Sequence, residues 1–533
     1  MVDRAIEHAP GQAAEPSVRS PLVLPTLSVT GTRRTALLLL VTVLAIFAVQ
    51  APVLGNYFFN DDFVPLADIA SRSAGAYIKD LFLLNDLTPN WRFLTGLVYL
   101  AEFRAFHLNP LPYLLVNVLF HAATAGLLFW LVRRVTRSDW PAFLAAGFFG
   151  LSAATVPTVG QITALNNVLA GFFVTLAIVL LFEALDGERP NIGVFATSVV
   201  SFAAAIASNE SASVTAPVLA LVVVWKAPGA DAWWTQPREW LRIALFSGPF
   251  MILGSAALIG FGACGCTEAE LYSRDNIVEN IWLYFGRLLY PIGLEFPGHI
   301  GTAHLAAGLA VAVISCAALV RGPALARIAA VFLFLAILPY LPIAIWAAQR
   351  YTYLASIPFA ILTAFFFAEA GRYASRLSPV LATAVAGTAL AAMAWNGWQT
   401  IEQNADQADA SDRWRQFVTT VEEEYPDLPT LTTVYVRGGP VTDALAQCAI
   451  MPAIGDVLWG DAMLFTLAPE GLTNYRARPG YEVRVGDFVN GRIEPRPVSI
   501  ATAEELQSDD IFLLPHISPN ATGNVCRSDV PKP

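Results

Sequence analysis

Charged residues are scarce in this sequence. Asp, Glu, Lys and Arg make up only 14% of its 533 residues, whereas a soluble domain carries about 25%. Hydrophobic residues account for 56% of the chain, and its mean hydropathy is +0.54. Apolar runs recur that are long enough to cross a bilayer as helices, which takes about 20 residues each. The sequence therefore excludes a soluble protein and predicts a polytopic α-helical membrane protein, with the lipid bilayer as its surroundings.

The sequence also lacks a metal-binding pattern and a repeat. Cys264 and Cys266 form a Cys-x-Cys pair without a matching second pair, and His299 and His304 belong to no ligand motif. A structural zinc site needs four such ligands at defined spacings, so the pattern does not favour one. We find no tandem repeat and no low-complexity tract, which excludes a solenoid.

Basic residues are few as well, and the acidic excess is local. The net charge is −10, and residues 399–533 hold 20 acidic against 10 basic side chains. The remainder of the chain is therefore balanced. An acidic C-terminal segment does not suit nucleic acid as a partner, and its polarity predicts a soluble domain at 398–533.

Eleven apolar segments are candidate membrane spans. They are residues 36–54, 110–132, 140–159, 165–185, 192–208, 211–225, 241–261, 303–320, 328–346, 354–368 and 380–395. Residues 93–107 are partly apolar but too short to cross, which indicates an interfacial or re-entrant helix. The sequence thus predicts about 11 transmembrane helices within a membrane domain at 35–397.

The charges between these spans predict the orientation. Arg33 and Arg34 follow a polar tail, residues 1–34, and directly precede the first span, which is typical of an uncleaved signal anchor with a cytoplasmic N-terminus. Counting from there, the basic clusters at 133–137, 226–242, 321–327 and 372–376 all fall inside. We expect an integral inner (plasma) membrane protein whose loops 55–109 and 262–302 and whose C-terminal domain are extracytoplasmic.

The C-terminal domain has mixed helix and strand signals. Residues 409–425 have an amphipathic helical pattern, and residues 432–436, 481–485 and 511–514 resemble short strands, which predicts a small α/β fold. Cys448 and Cys526 lie in this external domain and could pair as a disulfide in an oxidising compartment.

Asp61 and Asp62 stand out in the first external loop. They lie a few residues beyond the first span, at the rim of an apolar bundle. Carboxylates at such a rim usually mark a substrate or ion site, although Asn60 or Asp61 could simply cap a short helix from Phe63 onward. In the functional reading one acid is a general base and the other orients it or binds a divalent metal.

Basic and aromatic residues near other span ends are candidates for binding an anion. Arg350 lies at the external end of the ninth span, beside Tyr351. A guanidinium is permanently charged and matches phosphate oxygens, but an interfacial Arg among tyrosines can also snorkel to the membrane surface. Arg92 and Arg287 are weaker candidates for the same role.

Further polar residues lie within or between the spans. Asn117 and His121 share one face of the second span. His121 is a candidate for substrate binding, although hydrogen bonds between helices are the common use of such residues. Glu210 is an isolated acid between two short spans and is either a structural partner or part of a substrate cavity. Asn166 and Asn167 are read as helix caps.

The order of these features resembles a known family. An external Asp pair, then NWRFLTGLVYLAEFRAFHLNPLPYLLVNVLFH, SNESASVTAP and QRYTYLASIP, is similar to the GT-C superfamily of membrane glycosyltransferases. The likeness covers about residues 35–395. It points to the polyprenyl-phosphate-sugar-dependent bacterial enzymes and to the membrane part of protein O-mannosyltransferases.

The resemblance implies a function and a site. Members transfer a sugar with inversion from a polyprenyl-phosphate donor to an acceptor at the exoplasmic face. Asp61 would be the base, Asp62 the second acid, and Arg350 the ligand of the lipid phosphate. The chain departs from the family where Phe93 follows Arg92 and where Asn209 precedes Glu210, and it has no His-Pro-Pro stretch. The acceptor, a glycan, lipid or protein, and any divalent cation therefore stay open.

Other functions compete with this hypothesis. An O-antigen-ligase-like transferase would not need the early Asp pair and would expect basic residues in a late external loop. A transporter or flippase predicts broken helices and mid-membrane charges in a repeated pattern, and we find no such duplication. A scaffold that acts through its external domain is the fourth hypothesis.

Overall fold

The computed structural model describes residues 31–83, 92–187, 189–226, 237–263, 276–291, 300–343, 348–426, 432–437, 444–459, 463–467, 482–489 and 491–496. The helices are, in chain order, α1 (Gly31–Gln50), α2 (Phe63–Ala70), α3 (Ala74–Leu83), α4 (Phe93–Phe106), α5 (Pro110–Thr136), α6 (Asp139–Gly150), α7 (Val156–Val159), α8 (Leu165–Ala184), α9 (Ile192–Ser208), α10 (Ala216–Lys226), α11 (Pro237–Ala263), α12 (Ile277–Leu289), α13 (Thr302–Arg321), α14 (Ala324–Ile337), α15 (Tyr353–Leu377), α16 (Pro379–Glu424) and α17 (Ala444–Trp459). The strands are β1 (Thr432–Arg437), β2 (Met463–Leu467), β3 (Glu482–Val489) and β4 (Arg492–Arg496). The prediction of a largely helical membrane protein is confirmed.

The span count is less regular than the hydrophobic pattern predicts. Seven helices in the described ranges are long and apolar enough to cross a membrane, or eight if the pair Asp139–Gly150 and Ala153–Val159, bent by 45°, is one span. Helices α9 and α14 are shorter, and the predicted span 211–225 begins as a 3-10 turn, Glu210–Thr215, before α10. The eleven predicted spans are therefore not confirmed as eleven complete crossings.

Prolines account for one of the shortened spans. The predicted ninth span, 328–346, continues in the structure only as α14 and a 3-10 turn, Leu338–Tyr340. Pro339 and Pro342 follow the helix, and proline cannot donate the backbone hydrogen bond that the next turn needs. The described residues after the 3-10 turn, 341–343, are not helical, and the turn that carries Arg350 begins at Gln349.

Helix α16 passes through the predicted domain boundary. Its 46 residues join the last span and the amphipathic segment 409–425 without interruption, so the boundary at 397/398 lies inside a helix. No proline interrupts the segment after Pro379, so the helical hydrogen bonds continue to Glu424. In its C-terminal part Trp414, Phe417, Val418 and Val421 are buried.

The C-terminal strands form one sheet in the order β2-β1-β3-β4. β1 pairs in parallel with β2 and with β3, and β3 pairs with β4 antiparallel. The strand-like residues 432–436 lie in β1 and residues 482–485 in β3, whereas 511–514 and Cys526 lie outside the described residues. Helix α17 packs on β2 and on α2 of the first external loop.

Charged residues pair at the bundle end opposite the first external loop. Arg133 lies 2.7 Å from Asp139, Arg134 contacts Glu183 at 3.0 Å, and Asp186 pairs with Arg134 and Lys226. These pairs join the ends of α5, α6, α8 and α10 on one side. The predicted alternation of loops is thus matched by two chemically different bundle ends, although the direction across the membrane stays a prediction.

Candidate functional site

The site begins with the turn that carries the two acids. Asn60–Asp62 forms a single 3-10 turn before α2. Asn60 has a φ of +52°, a left-handed conformation that Asn tolerates better than most residues. Asp62 closes the turn, because its Oδ2 accepts the backbone N–H of Phe59 at 3.1 Å. The Oδ1 atoms of both carboxylates lie near one hydroxyl, that of Thr163, at 3.2 Å for Asp61 and 2.9 Å for Asp62.

Asp62 faces the protein interior. Its side chain is fully buried, and its Oδ1 accepts the backbone N–H and the hydroxyl of Thr163 at 2.8 and 2.9 Å. Burial, with a smaller contribution from the charge of Asp61, raises the pKa of Asp62 to about 7. Asp62 thus ties the acid turn to Thr163 and has no exposed surface for a substrate.

Asp61 meets Arg350. The Arg350 Nη1 lies 3.2 Å from Oδ2 and 3.4 Å from Oδ1 of Asp61, although 289 positions separate the two residues. Arg350 lies on a 3-10 turn, Gln349–Thr352, immediately before α15. Their side chains are 39% and 25% exposed, so a molecule from outside can reach both. We refer to this contact as the Asp61–Arg350 pair.

Gln161 and Thr163 complete the surroundings of Asp61. The Gln161 amide donates from Nε2 to Asp61 Oδ1, and its Oε1 accepts from Arg350 Nη1 at 3.1 Å. The Thr163 hydroxyl lies 3.2 Å from the same Oδ1. The sequence analysis missed both residues. A signal existed, because two polar side chains lie between the third and fourth spans, at the same bundle end as the acids.

A second ion pair lies at the same rim. Arg92, at the start of α4, holds Glu210 with two hydrogen bonds of 3.1 and 2.9 Å. Burial alone would raise the pKa of Glu210, but the Arg92 guanidinium outweighs it and holds this pKa below its usual value. The structure thus brings both predicted residues together as partners of each other, in the bidentate geometry that Arg and carboxylates favour.

Tyr351 connects the two ion pairs. Its ring stacks on Tyr340 with centroids 4.4 Å apart and an angle of 6°, and the Arg350 guanidinium carbon lies 5.9 Å from the Tyr351 centroid. Arg92 interacts electrostatically with both phenols. Tyr340 in turn donates a hydrogen bond of 2.8 Å to Ser211, which follows Glu210. Tyr351 is therefore part of the same cluster as Asp61 and Arg350.

Two predicted residues make their contacts elsewhere. His121 lies fully buried, with its ring nitrogens 3.1 Å from the Tyr353 hydroxyl and 3.2 Å from the Gly150 carbonyl, and this is the interhelical bonding named as the alternative. Arg287 on α12 is 1% exposed and interacts electrostatically with Tyr284, whose ring centroid lies 6.5 Å from that of Tyr340. Arg287 thus lies behind the aromatic pair.

The donor groups of the site do not fit a divalent cation. Within the described ranges no group of three or more His, Cys, Asp or Glu side chains lies close enough to hold a metal ion. Divalent cations prefer several oxygen ligands. Asp62 already accepts three hydrogen bonds, and Asp61 faces a guanidinium and an amide N–H. No step below is therefore assigned to a metal.

Comparison with known proteins gives structural neighbours only. No protein-family model and no curated protein matches the sequence. The structure of ArnT from Cupriavidus metallidurans bound to undecaprenyl phosphate aligns with a TM-score of 0.46 and 12% identity, over 83% of this chain and 87% of that chain. The archaeal oligosaccharyltransferase AglB from Archaeoglobus fulgidus, in complex with an inhibitory peptide and a dolichol-phosphate, aligns with a TM-score of 0.48 and 11% identity. That alignment covers 84% of this chain and 66% of AglB.

Both neighbours were solved with a lipid phosphate bound, which is undecaprenyl phosphate for ArnT and dolichol-phosphate for AglB. Because both TM-scores lie below 0.5 and the alignment spans 66% of AglB, what this chain binds and transfers must be inferred from its own residues.

Proposed function

We propose that this chain is an inverting glycosyltransferase of the inner (plasma) membrane. It moves a sugar from a polyprenyl-phosphate donor to a hydroxyl of an envelope glycan, lipid or protein at the exoplasmic face. One observation carries the proposal: a carboxylate and a guanidinium from distant parts of the chain, Asp61 and Arg350, meet in a partly exposed cluster at one rim of an apolar helix bundle. Such a rim is where a lipid-anchored phosphate lies.

Arg350 is suited to hold the donor phosphate. Its planar guanidinium donates two hydrogen bonds to phosphate oxygens and keeps its charge at any physiological pH. The bond between the anomeric carbon and the phosphate oxygen breaks during transfer, and its electron pair leaves with the polyprenyl phosphate. Arg350 stabilises that growing negative charge. Such stabilisation lowers the reaction barrier strongly when the hydrogen-bond donors are already in place.

Asp61 is suited to act as the general base. As the acceptor oxygen forms its bond to the anomeric carbon, its proton moves to the Asp61 carboxylate, which becomes the neutral acid. A positioned base contributes about 10²–10⁴-fold to the rate. Attack from the side opposite the phosphate inverts the anomeric centre. Membrane anchoring of the prenyl chain restricts the approach of the sugar and so lowers the entropic part of the barrier.

The Asp61–Arg350 pair orders these events. Arg350 contacts Asp61 at 3.2 Å, so the guanidinium has to turn from the carboxylate to the phosphate when the donor binds. The base is therefore released for the acceptor only once the donor is in place.

Turnover of a set of undecaprenyl-phosphate sugars by the purified full-length protein tests the proposal. We expect transfer or donor hydrolysis in the wild type, a loss of about 10²-fold or more in Asp61→Asn, and a similar loss in Arg350→Gln. The matched control is Asp68→Asn, because Asp68 of α2 pairs with Arg72, which follows that helix, at 2.7 Å within the same loop. Near-wild-type turnover in Asp61→Asn would instead favour a ligase-like transferase that needs no early acid.

A further inference from the structure

Residues 159–163, which join α7 to α8, are held by side chains from three other parts of the chain. Four consecutive carbonyls of this segment each accept a side-chain hydrogen bond. The bonds are Asn117 Nδ2 to Val159 at 3.2 Å and to Gln161 at 3.0 Å, Asn56 Nδ2 to Gly160 at 3.3 Å, and the Tyr99 hydroxyl to Ile162 at 2.8 Å. We refer to these residues as the 159–163 segment.

The groups that hold this segment are deeply buried. Asn56 and Asn117 are each 1% exposed and Tyr99 is 5% exposed. A buried amide or hydroxyl that loses its partner costs about 1–3 kcal/mol, so each donor favours the observed position of the carbonyl it bonds. Gly160 leaves room for the Gln407 amide of α16, since a Cβ there would lie 2.1 Å from Gln407 Oε1. The backbone of the segment is therefore rigidly placed.

The side chains of the segment reach the proposed reacting groups. Gln161 is a bipolar bridge, because its N–H bonds the carboxylate of Asp61 and its oxygen accepts from the guanidinium of Arg350. Only this orientation of the amide suits both charges. The Thr163 hydroxyl lies near Asp61 Oδ1, and the Thr163 N–H bonds Asp62. Oδ1 of Asp61 thus faces the segment, while the shorter Arg350 contact is to Oδ2.

We propose that Gln161 and Thr163 are positioning residues for the transfer reaction, which rests on the proposed function above. They hold Oδ1 of Asp61 in place when Arg350 turns to the lipid phosphate, so that Oδ2 alone is released as the base. Positioned groups supply catalysis only when a second set of contacts holds their orientation.

A structure of the full-length protein with undecaprenyl phosphate bound tests this directly and does not depend on the identity of the sugar. We expect the phosphate on Arg350, Oδ2 of Asp61 beyond hydrogen-bond distance of the guanidinium, and Oδ1 still bonded to Gln161 and Thr163. A carboxylate that leaves Gln161 and Thr163 overturns this inference while the proposed function stands. A phosphate bound away from Arg350 overturns both.

Kinetics of isosteric variants provide the second test, with whichever donor the wild type turns over. We expect Gln161→Leu and Thr163→Val to lower kcat about tenfold or more with the KM for the donor nearly unchanged, because neither residue is assigned a contact to the phosphate. Thr163→Ser keeps the hydroxyl and should restore kcat. The control is Thr175→Val, since the buried Thr175 bonds only the Gly171 carbonyl of its own helix among the described contacts. Equal losses in Thr163→Val and Thr163→Ser, or a rise in KM alone, would contradict a positioning role.

Discussion

At the scale of single residues, Asp61 and Asp62 show how far two sequence neighbours can differ. Asp62 is fully buried and bonded by Phe59 and Thr163, whereas Asp61 is 39% exposed and contacts Arg350. A carboxylate that is already saturated with donors and closed to solvent can shape a loop but cannot take a proton from a substrate. The geometry therefore favours Asp61 as the base and Asp62 as the residue that orients it.

The Asp61–Arg350 pair has a measurable consequence for binding. In the proposed function the lipid phosphate competes with the Asp61 carboxylate for the guanidinium, so Asp61→Asn should bind undecaprenyl phosphate more tightly, by about fivefold for a partly exposed pair worth about 1 kcal/mol. Arg350→Gln should weaken binding. Titration with uncharged undecaprenol is the control, because it lacks the phosphate and should bind all three proteins alike. Unchanged phosphate affinity in Asp61→Asn would contradict the competition.

Glu102 predicts a pH dependence of stability. It lies on α4 with 5% exposure, and neither carboxylate oxygen has a hydrogen-bond partner in the described part of the chain. Burial raises its pKa from 4.5 to about 8. Between these values the folded protein binds more protons at Glu102 than the unfolded chain, so this group lowers stability as the pH rises through that range, by about 1.4 kcal/mol per unit of difference at most.

Glu102→Gln should remove the loss of stability that the rising pH causes through Glu102. We expect a higher thermal midpoint than the wild type at pH 8 and little difference at pH 5, measured in detergent solution. Glu369→Gln is the control, because Glu369 lies on the surface beside Arg372 and its side chain is 50% exposed. An equal effect of both substitutions at pH 8 would show that Glu102 is not the titrating group.

At the scale of elements, the C-terminal half of α16 packs beside Asn60–Asp62, the turn that carries the two acids. The Trp414 ring lies 6.2 Å from that of Phe63, the first residue of α2. The Ser411 hydroxyl accepts the N–H of Tyr57 at 3.2 Å, and Arg415 donates to the Gly55 carbonyl at 2.6 Å. The C-terminal domain is therefore built onto the site through this helix and through α17, which packs on α2.

Trp414→Ala tests whether this packing of α16 supports the site. Truncation of a buried aromatic residue costs about 3–5 kcal/mol, and here the cavity would lie directly beneath the acid turn. We expect a lower thermal midpoint together with a lower turnover, and a milder effect of Trp414→Phe. The control is Trp398→Ala on the same helix, because Trp398 is 55% exposed. If Trp414→Ala loses stability but keeps full turnover, α16 supports the fold without supporting the site.

At the scale of the whole molecule, the two ends of the bundle carry different chemistry. The Arg and Lys residues that pair with Asp139, Glu183 and Asp186 lie at one end, and the candidate site lies at the other. The positive-inside rule places basic loops in the cytoplasm, which predicts that the candidate site lies on the extracytoplasmic side. A polyprenyl-phosphate sugar and its acceptor would meet the enzyme on that side.

Thiol labelling in sealed, right-side-out membrane vesicles tests this orientation. In a variant without its five native cysteines, we expect an impermeant maleimide to label Ser71→Cys, which lies exposed after α2, in intact vesicles. Ser375→Cys lies exposed near the end of α15 and should react only after permeabilisation. The reverse pattern would place the site in the cytoplasm and contradict a donor on the exoplasmic face.

Local chemistry explains what was predictable from the sequence. A membrane span requires only a run of apolar residues as long as the bilayer is thick, and the order of basic loops predicts an orientation that the labelling experiment tests. Asp61, Arg350 and Tyr351 were found because charge or aromaticity at a span end is unusual. Gln161 and Thr163 were missed because neutral polar residues between spans are common, and only their contacts distinguish them.

The sequence by itself thus determined a many-helix membrane protein, its acidic C-terminal segment and the candidate acid and guanidinium. Only the tertiary structure decided that Asp61 and Arg350 touch, that Arg92 bonds Glu210, and that α16 continues unbroken behind the loop. The physical reason is how far apart in the chain the interacting residues lie. Hydrophobicity and helix formation depend on residues near one another in the chain, whereas an ion pair across 289 positions depends on how the whole bundle packs.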